Sequence, residues 1–553
     1  MAPLLSSLTV SGNVLALDFD RDLDLAFLTD LGETSQILRR FSLQISGRRR
    51  DLLSLSANRT QPRRLTISFT GAAASSDQGV VLDYQDPIGN NTTGVLQNVM
   101  GDDLRTFSRH ADTLESASNV LALAAGYRHL LLTGAASIGT GNASANSIRV
   151  NQARVDNILY GLGGDDVIQA GDGNDKLIGG AGNDIMDGGS GSDLYLIERA
   201  DEHVMAEIND TSADRSIDEL RFAATSLVGG STLTVFAGDI GLETVIVGTG
   251  LGSTADSSGT LALNIHASAA ANALTITGNA GSNNLVGTRF ADVLIGGAGS
   301  DVCDGGNGSD IYLVASLSHR PTGEIRDSGS PTDRDELRIA ATGHLGRPGE
   351  AWQIYPNDTG LERVVVGTGL AAEADTSGIG TIDVSASSAV NALTIIGNNG
   401  SNDLTGTAFA DWIQGNGGPD VLVGGDGDDT LVGGSGNDQL RGGSGRDAFR
   451  FDTPLDPYTA DRILDFRAGE DRIQLSRAVF DLPAGSTLSA DAFKLGISAD
   501  RPGQRILYNT TNPGSIRGGL WYDRDGNGSV APVFLATIDG SPPLSAADVQ
   551  IVS

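Results

Sequence analysis

The sequence has a single cysteine, Cys303, which excludes an internal disulfide framework. Aromatics make up 5% of the 553 residues and charged residues 19%, which fits neither a tightly packed α/β enzyme nor a charge-rich disordered chain. Bases are scarce, 37 against 69 acids, for a formal charge of −32. A field of that sign excludes a nucleic-acid binder that rests on phosphate neutralisation. No run approaches the ~18 consecutive apolar residues that a membrane helix needs. The opening MAPLLSSLTVSGNVLALDF lacks a basic stretch and an apolar core, so it does not read as a cleavable signal peptide, and export would need another route.

Catalytic signatures are also missing. The six histidines (His110, His129, His203, His266, His319, His344) are scattered, with no H-E-x-x-H. There is no G-x-S-x-G elbow and no phosphate loop followed by its lysine. The Glu202–His203 pair reads as part of a surface loop, and Cys303 as a buried thiol. The chain reads as non-enzymatic. The alternative is a glycan-active hydrolase, lyase or epimerase, whose paired carboxylates cannot be picked out among 69 acids.

What is abundant is glycine, 75 residues, roughly twice the usual ~7% share. Much of it falls in register. From Gly161 the chain reads GLGGDDVIQ, AGDGNDKLI, GGAGNDIMD, GGSGSDLYL; from Gly278, GNAGSNNLV, GTRFADVLI, GGAGSDVCD, GGNGSDIYL. Six more start at Gly397: GNNGSNDLT, GTAFADWIQ, GNGGPDVLV, GGDGDDTLV, GGSGNDQLR, GGSGRDAFR. Of these fourteen nonapeptides, thirteen begin with glycine, Ala170 being the exception, and twelve carry glycine fourth, Phe290 and Phe409 excepted. The sixth place is Asp in twelve and Asn in two (Asn283, Asn402), and the eighth is always apolar. A flexible linker would not keep an apolar residue at every eighth place.

This pattern resembles the RTX, or haemolysin-type, calcium-binding repeat, G-G-x-G-x-D-x-U-x. The resemblance implies a parallel β-solenoid of the calcium β-roll kind with multiple bound Ca²⁺ ions. The candidate metal residues are the sixth-place Asp166, Asp175, Asp184, Asp193, Asp292, Asp301, Asp310, Asp411, Asp420, Asp429, Asp438 and Asp447. With them go the fourth-place Gly164, Gly173, Gly182, Gly191, Gly299, Gly308, Gly418, Gly427, Gly436 and Gly445, which permit positive φ and turn carbonyl oxygens inward. The physics agrees: strands stack at ~4.8 Å, and two Ca–O bonds of ~2.4 Å span about that distance. If two nonapeptides make one coil, like turns recur every 18 residues, placing Asp166 against Asp184 and Asp420 against Asp438. Stacked carboxylates repel unless a cation lies between them, so folding and metal binding should be coupled. The coils holding Phe290 and Phe409 lose the glycine turn and read as steps with weak or absent ion sites.

A longer period also runs through the chain. DELRFAAT at 218–225 returns as DELRIAAT at 335–342, GLETVIVGTG as GLERVVVGTG, and ALTITGNAGSNNLVGT as ALTIIGNNGSNDLTGT. An eroded copy, LLLTGAASIGTGNASANSIRV, precedes the first block. Residues from about 130 to 451 therefore read as one solenoid of calcium coils alternating with longer coils; small β-domains joined by calcium coils are the alternative.

The two ends differ from the middle. Within 1–108, LTVSGNVLALDFD, FSLQISG, RRLTISFTG and VVLDYQDP alternate at period two, as half-buried antiparallel strands do. The segment resembles the immunoglobulin-like sandwich repeats of bacterial cell-surface proteins. Its Arg48, Arg49, Arg50 run reads as a solvated loop, an anion or polysaccharide patch being the alternative. After the last repeat, Asp461, Ile463, Asp465, Phe466, Gly469, Asp471, Ile473 and Leu475 form D-x-I-x-D-F-x-x-G-x-D-x-I-x-L. That run is similar to the trailer of type I secretion substrates, which implies a solenoid cap with an uncleaved secretion signal. DRDGNG at 523–528 has half an EF-hand loop but Phe534 at the twelfth place, so it reads as a turn with at most a weak cation site.

The expected architecture is all-β: a parallel β-solenoid (calcium β-roll) with an N-terminal antiparallel β-sandwich and a C-terminal β-rich cap. The expected divisions are 1–108 sandwich, 109–160 connecting strands and the eroded copy, 161–196 first calcium block, and 197–277 long coils. There follow 278–313 second block, 314–396 long coils, 397–450 third block and 451–553 cap. The resemblance implies an extracellular, cell-surface-associated structural or adhesive protein, whose partners are calcium ions, type I secretion machinery, and surface polysaccharide or surface proteins.

Overall fold

The computed structural model describes strand backbones between residues 5 and 116, and residues 119–553 except 121–122, 124–126, 152–153, 206, 211–215, 315–324, 331, 341–350, 483–486 and 511–515. The chain divides into two compact units, Met1–Arg221 with Gly238–Leu242, and Phe222–Ala237 with Glu243–Ser553. Among the described residues no helix is long and apolar enough to cross a membrane. The fold is all-β.

In the first unit two four-stranded antiparallel sheets come first. One runs Leu5–Ser11, Val14–Phe19, Arg64–Phe69, Leu52–Ala57; the other runs Arg48–Arg50, Phe41–Ile45, Val81–Tyr84, Phe107–His110. The arginine run expected as a loop is thus a strand: Arg48–Arg50 pairs antiparallel with Leu43–Ile45. The side chains of this region lie outside the described residues, as does any contact between the two sheets.

From Thr113 the pairing becomes parallel. Thr113–Ser116, His129–Leu132, Ser147–Val150, Val167–Asp172 and Ile185–Ser190 stack on one wall. Ile138–Thr140, Ile158–Gly163, Lys176–Ala181 and Leu194–Ile197 stack on another. Leu159 faces Leu177, which faces Tyr195, and Ile168 faces Met186: each step is 18 residues. Two nonapeptides therefore make one coil, as the spacing requires.

The second unit repeats this plan. One wall runs in parallel register from Thr244–Val247 through Val293–Ile295, Glu336–Ile339, Thr394–Ile396 and Thr430–Val432 to Val549–Val552. Shorter parallel strands face it, Asn264–His266 to Val302–Asp304 and Val384–Ser385 to Asp461–Ile463. The latter run ends in the antiparallel strands Val533–Ile538, Gly519–Tyr522 and Ile506–Asn509.

Every eighth-place residue is buried, from Ile168, Leu177 and Met186 to Leu431, Leu440 and Phe449, with Cys303 among them. The DELR repetition has its own reason. Arg338 is fully buried, its Nε donating to Glu336 at 2.6 Å and its Nη1 to the carbonyl oxygens of Gly369 and Ala371 at 2.8 Å. One arginine thus ties a core strand to the loop of the next long coil. Removing a single core rung tests this packing. Leu422→Ala, at a fully buried site, should lower the stability of the calcium-loaded protein by about 2–5 kcal/mol, read as an earlier denaturant midpoint.

Candidate metal centre

Glycine shapes the turns that join these strands. In Gly179–Asn183 both the second and fourth places, Gly180 and Gly182, have positive φ (95° and 147°). A Cβ on Gly182 would overlap the carbonyl oxygen of Gly164, one coil earlier, so only glycine permits the stacking. A Cβ on the first-place Gly161 would meet Asp166 Oδ2 and the carbonyl oxygen of Gly179 together. Those two oxygens, from successive coils, therefore converge on one small space.

The sixth-place aspartates form ladders. Oδ1 of each accepts the backbone N–H of the residue one coil before it: Asp184 from Asp166 at 2.8 Å, Asp193 from Asp175 at 2.6 Å, Asp310 from Asp292 at 2.7 Å. In the third block Asp429 accepts from Asp411 at 2.9 Å, Asp438 from Asp420 at 2.8 Å and Asp447 from Asp429 at 3.1 Å. Asp301 accepts from Asn283 at 2.9 Å and Asp420 from Asn402 at 2.8 Å. Every facing pair expected from the 18-residue period is joined in this way. The second oxygen is the anomaly. Oδ2 of Asp166, Asp175, Asp184, Asp193, Asp310, Asp420, Asp429 and Asp438 is buried without a hydrogen-bond partner. An orphaned buried carboxylate oxygen is costly unless a cation or a proton meets it.

Not all turns are alike. Where Thr288, Thr407, Asn279 or Asn398 holds the second place, its N–H bends inward and bonds the sixth residue. Thr288 N–H donates to Asp292 Oδ2 at 2.5 Å, and Thr407 N–H to Asp411 Oδ2 at 2.6 Å, each with help from the threonine hydroxyl. Asn279 and Asn398 do the same to Asn283 and Asn402, and Asn142 to Asn146 in the eroded copy. These turns are closed on themselves. Asp292 and Asp411 therefore stand apart from the eight aspartates whose Oδ2 is left bare. The second residue decides the class, rather than loss of the fourth glycine: Gly281 and Gly400 keep the fourth place, yet neither has positive φ. Conversely Leu162 (φ 80°) and Asn416 (φ 72°) take the strained left-handed conformation at the second place of open turns.

Each run of open turns ends on an aspartate from outside the nonapeptides. Asp193 N–H donates to Asp218 at 2.8 Å, Asp310 N–H to Asp335 at 2.8 Å and Asp447 N–H to Asp471 at 3.0 Å. Asp218 and Asp335 are the first residues of the two DELR copies, a repetition visible in the sequence though its role was not. Sequence reasoning also missed Tyr195 and Tyr312, whose hydroxyls donate to Asp210 and Asp327 at 2.8 Å. His203, expected on a surface loop, is fully buried between Glu207 (2.7 Å) and Asp239 (3.1 Å). Glu207 lies four residues on, but Asp239 comes from 36 residues away, which sequence proximity could not reveal. Burial opposes its charge, but hydrogen bonds to Asp239 and Glu207 prevail and hold the imidazole at about 9.

Burial pushes the ladder carboxyls far up: Asp184 to about 6, Asp166 and Asp175 to about 7, Asp420 to about 8, Asp193 to about 9. The ordinary value is 3.8. Between those limits the folded chain binds more protons than the unfolded one, so metal-free stability falls as pH rises. In chelator, the strand signal by circular dichroism should be larger at pH 5 than at pH 8, and calcium should erase most of that difference.

The donors present are carboxylate and carbonyl oxygens, hard ligands suited to Ca²⁺, and an orphaned Oδ2 beside a glycine-lined space is where such an ion fits. Comparison with known proteins agrees. The family model of the RTX calcium-binding nonapeptide repeat matches four times, at residues 160–195, 277–312, 396–425 and 414–449, together under a quarter of the chain. No curated protein matches. Among solved structures, the S-layer protein rSbsC is similar over 22% of this chain and 17% of its own, at 12% identity and a TM-score of 0.16, too low to carry an argument. The chain thus spans less than a fifth of that protein's length. In its three glycine-rich blocks, then, the chain carries RTX calcium-binding nonapeptide repeats.

Proposed function

We propose that this is a secreted protein that folds on calcium outside the cell and acts there as a structural or adhesive element at or near the surface. The observation that carries the reading is the row of buried, unpartnered Oδ2 atoms at glycine turns, each needing a positive partner. Asp166, Asp175, Asp184, Asp193, Asp301, Asp310, Asp420, Asp429, Asp438 and Asp447 would hold the ions with carbonyl oxygens of their turns. Asp292 and Asp411, already bonded by Thr288 and Thr407, would contribute least. When bound, calcium supplies the counter-charge that lets the ladder ionise at neutral pH.

That chemistry suits export. In a calcium-poor cytosol the ladder acids repel and the chain stays loose enough to thread through a type I channel; outside, affinities of about 10⁻⁴–10⁻³ M, common in extracellular modules, suffice for folding. The C-terminal region supports the same reading. Asp461 and Asp471 close the ladders of Asp438 and Asp447, and Asp465 accepts the N–H groups of Gly442 and Gly443, as a cap would. The N-terminal antiparallel sheets suit an immunoglobulin-like sandwich presented to a surface polysaccharide or protein.

Titration with Ca²⁺ and Mg²⁺ followed by circular dichroism tests the proposal. A strand signal should appear with Ca²⁺ and not with Mg²⁺, which demands a tighter octahedron and sheds water reluctantly. Full structure in chelator at pH 8 would refute it. Asp184→Asn and Asp429→Asn should each weaken the calcium response, whereas Thr407→Ser, at a closed turn, should leave it near that of the parent.

A further inference from the structure

We propose that Asp193, Asp210 and Asp218, and in duplicate Asp310, Asp327 and Asp335, each form a further calcium site at the end of a repeat run, with the ion oriented by a tyrosine-held carboxylate. This rests on the calcium reading above and adds ligands from outside the nonapeptides. In each trio the carboxylate oxygens lie within 4.8 Å of one another. A single ion with Ca–O bonds of ~2.4 Å can therefore touch all three.

Proximity of acids alone would not make a site. Two further observations point to a cation. The repeat aspartate of each trio is almost wholly buried, Asp193 at 2% and Asp310 at 0% exposure, and its Oδ2 has no hydrogen-bond partner. Each trio also has an orienting device. Tyr195 accepts the N–H of Gly188 at 2.9 Å and donates its hydroxyl to Asp210 at 2.8 Å. Tyr312 accepts from Gly305 at 2.9 Å and donates to Asp327 at 2.8 Å. The hydroxyl thus holds the direction of this carboxylate, as outer partners do for metal ligands; in the second trio the N–H groups of Gly306 (3.2 Å) and Gly329 (2.9 Å) hold Asp327 as well. The donors are all oxygen, which favours calcium over the softer transition metals.

The third run shows what happens without the device. Phe449 stands where Tyr195 and Tyr312 stand, and Asp465 bonds directly to Gly442 N–H at 2.9 Å and Gly443 N–H at 3.0 Å. Asp471 Oδ2 is taken by Arg467 N–H at 2.6 Å. Among the described residues, the two trios are the places where three acids come within reach of one ion.

The test counts ions on the full chain. After equilibrium dialysis against Ca²⁺, the Asp210→Asn, Asp327→Asn double variant should hold two fewer ions per chain than the parent, with its calcium-induced strand signal kept. An equal count overturns the proposal, and a parent that binds no calcium overturns the functional reading itself. A second measurement covers a variant that does not fold. With Tb³⁺ replacing Ca²⁺, Tyr195→Phe with Tyr312→Phe should lose much of the tyrosine-excited terbium emission while the number of bound ions stays near the parent's. Unchanged emission overturns the proposal.

Discussion

A buried carboxylate with one oxygen satisfied and the other bare is the constraint on which this fold turns. Each sixth-place aspartate uses Oδ1 to hold the N–H one coil back, which fixes the register of successive coils. The same geometry drives Oδ2 into a glycine-lined space with a neighbouring carbonyl and no donor. The ladder is thus a coil-to-coil clamp that cannot be fully ionised by itself. Protons or divalent ions must complete it, and at neutral pH outside a cell calcium is the abundant choice. On the proposed function, folding and ion uptake would be one process.

The closed turns show the alternative to this dependence. With Thr288 or Thr407 at the second place, one backbone N–H and one hydroxyl do what a cation does elsewhere. In the second and third blocks two closed turns come before the open ones, and in the first the closed turn at Asn142–Asn146 does. Each run of open turns therefore starts from coils whose sixth residue is already satisfied, and stops on a non-repeat aspartate, Asp218, Asp335 or Asp471. Closed turns at the start and a carboxylate at the stop bound the stretch of bare Oδ2 atoms.

Much of this was legible because the solenoid is nearly one-dimensional: what repeats in sequence repeats in space. The nine-residue period places Leu177 and Leu422 in the core and predicts the 18-residue facing pairs, as observed. Features that depend on distant chain were not legible. Asp218 and Asp335 each follow the last repeat aspartate by 25 residues, a spacing outside the nine-residue period that the motif does not tie to the ladder. His203 meets Asp239 from 36 residues away. The class of each turn was only partly visible in its letters: Asn279 and Asn398 close their turns, whereas Asn416 at the same place leaves its turn open. The fourth glycine drew attention, whereas the second residue's choice between a left-handed φ and an inward N–H decides whether Oδ2 is satisfied. Leu162 marks the limit of reading φ from residue type, since it holds a left-handed conformation that leucine disfavours, whereas Asn416 tolerates it.

The most direct test is to see the ions. Crystals grown with Ca²⁺ and soaked in Tb³⁺ should give anomalous density beside Oδ2 of Asp184, Asp429 and Asp438, and none inside the turns closed by Thr288 and Thr407. Density absent from the open turns, or equal in both classes, would contradict the account.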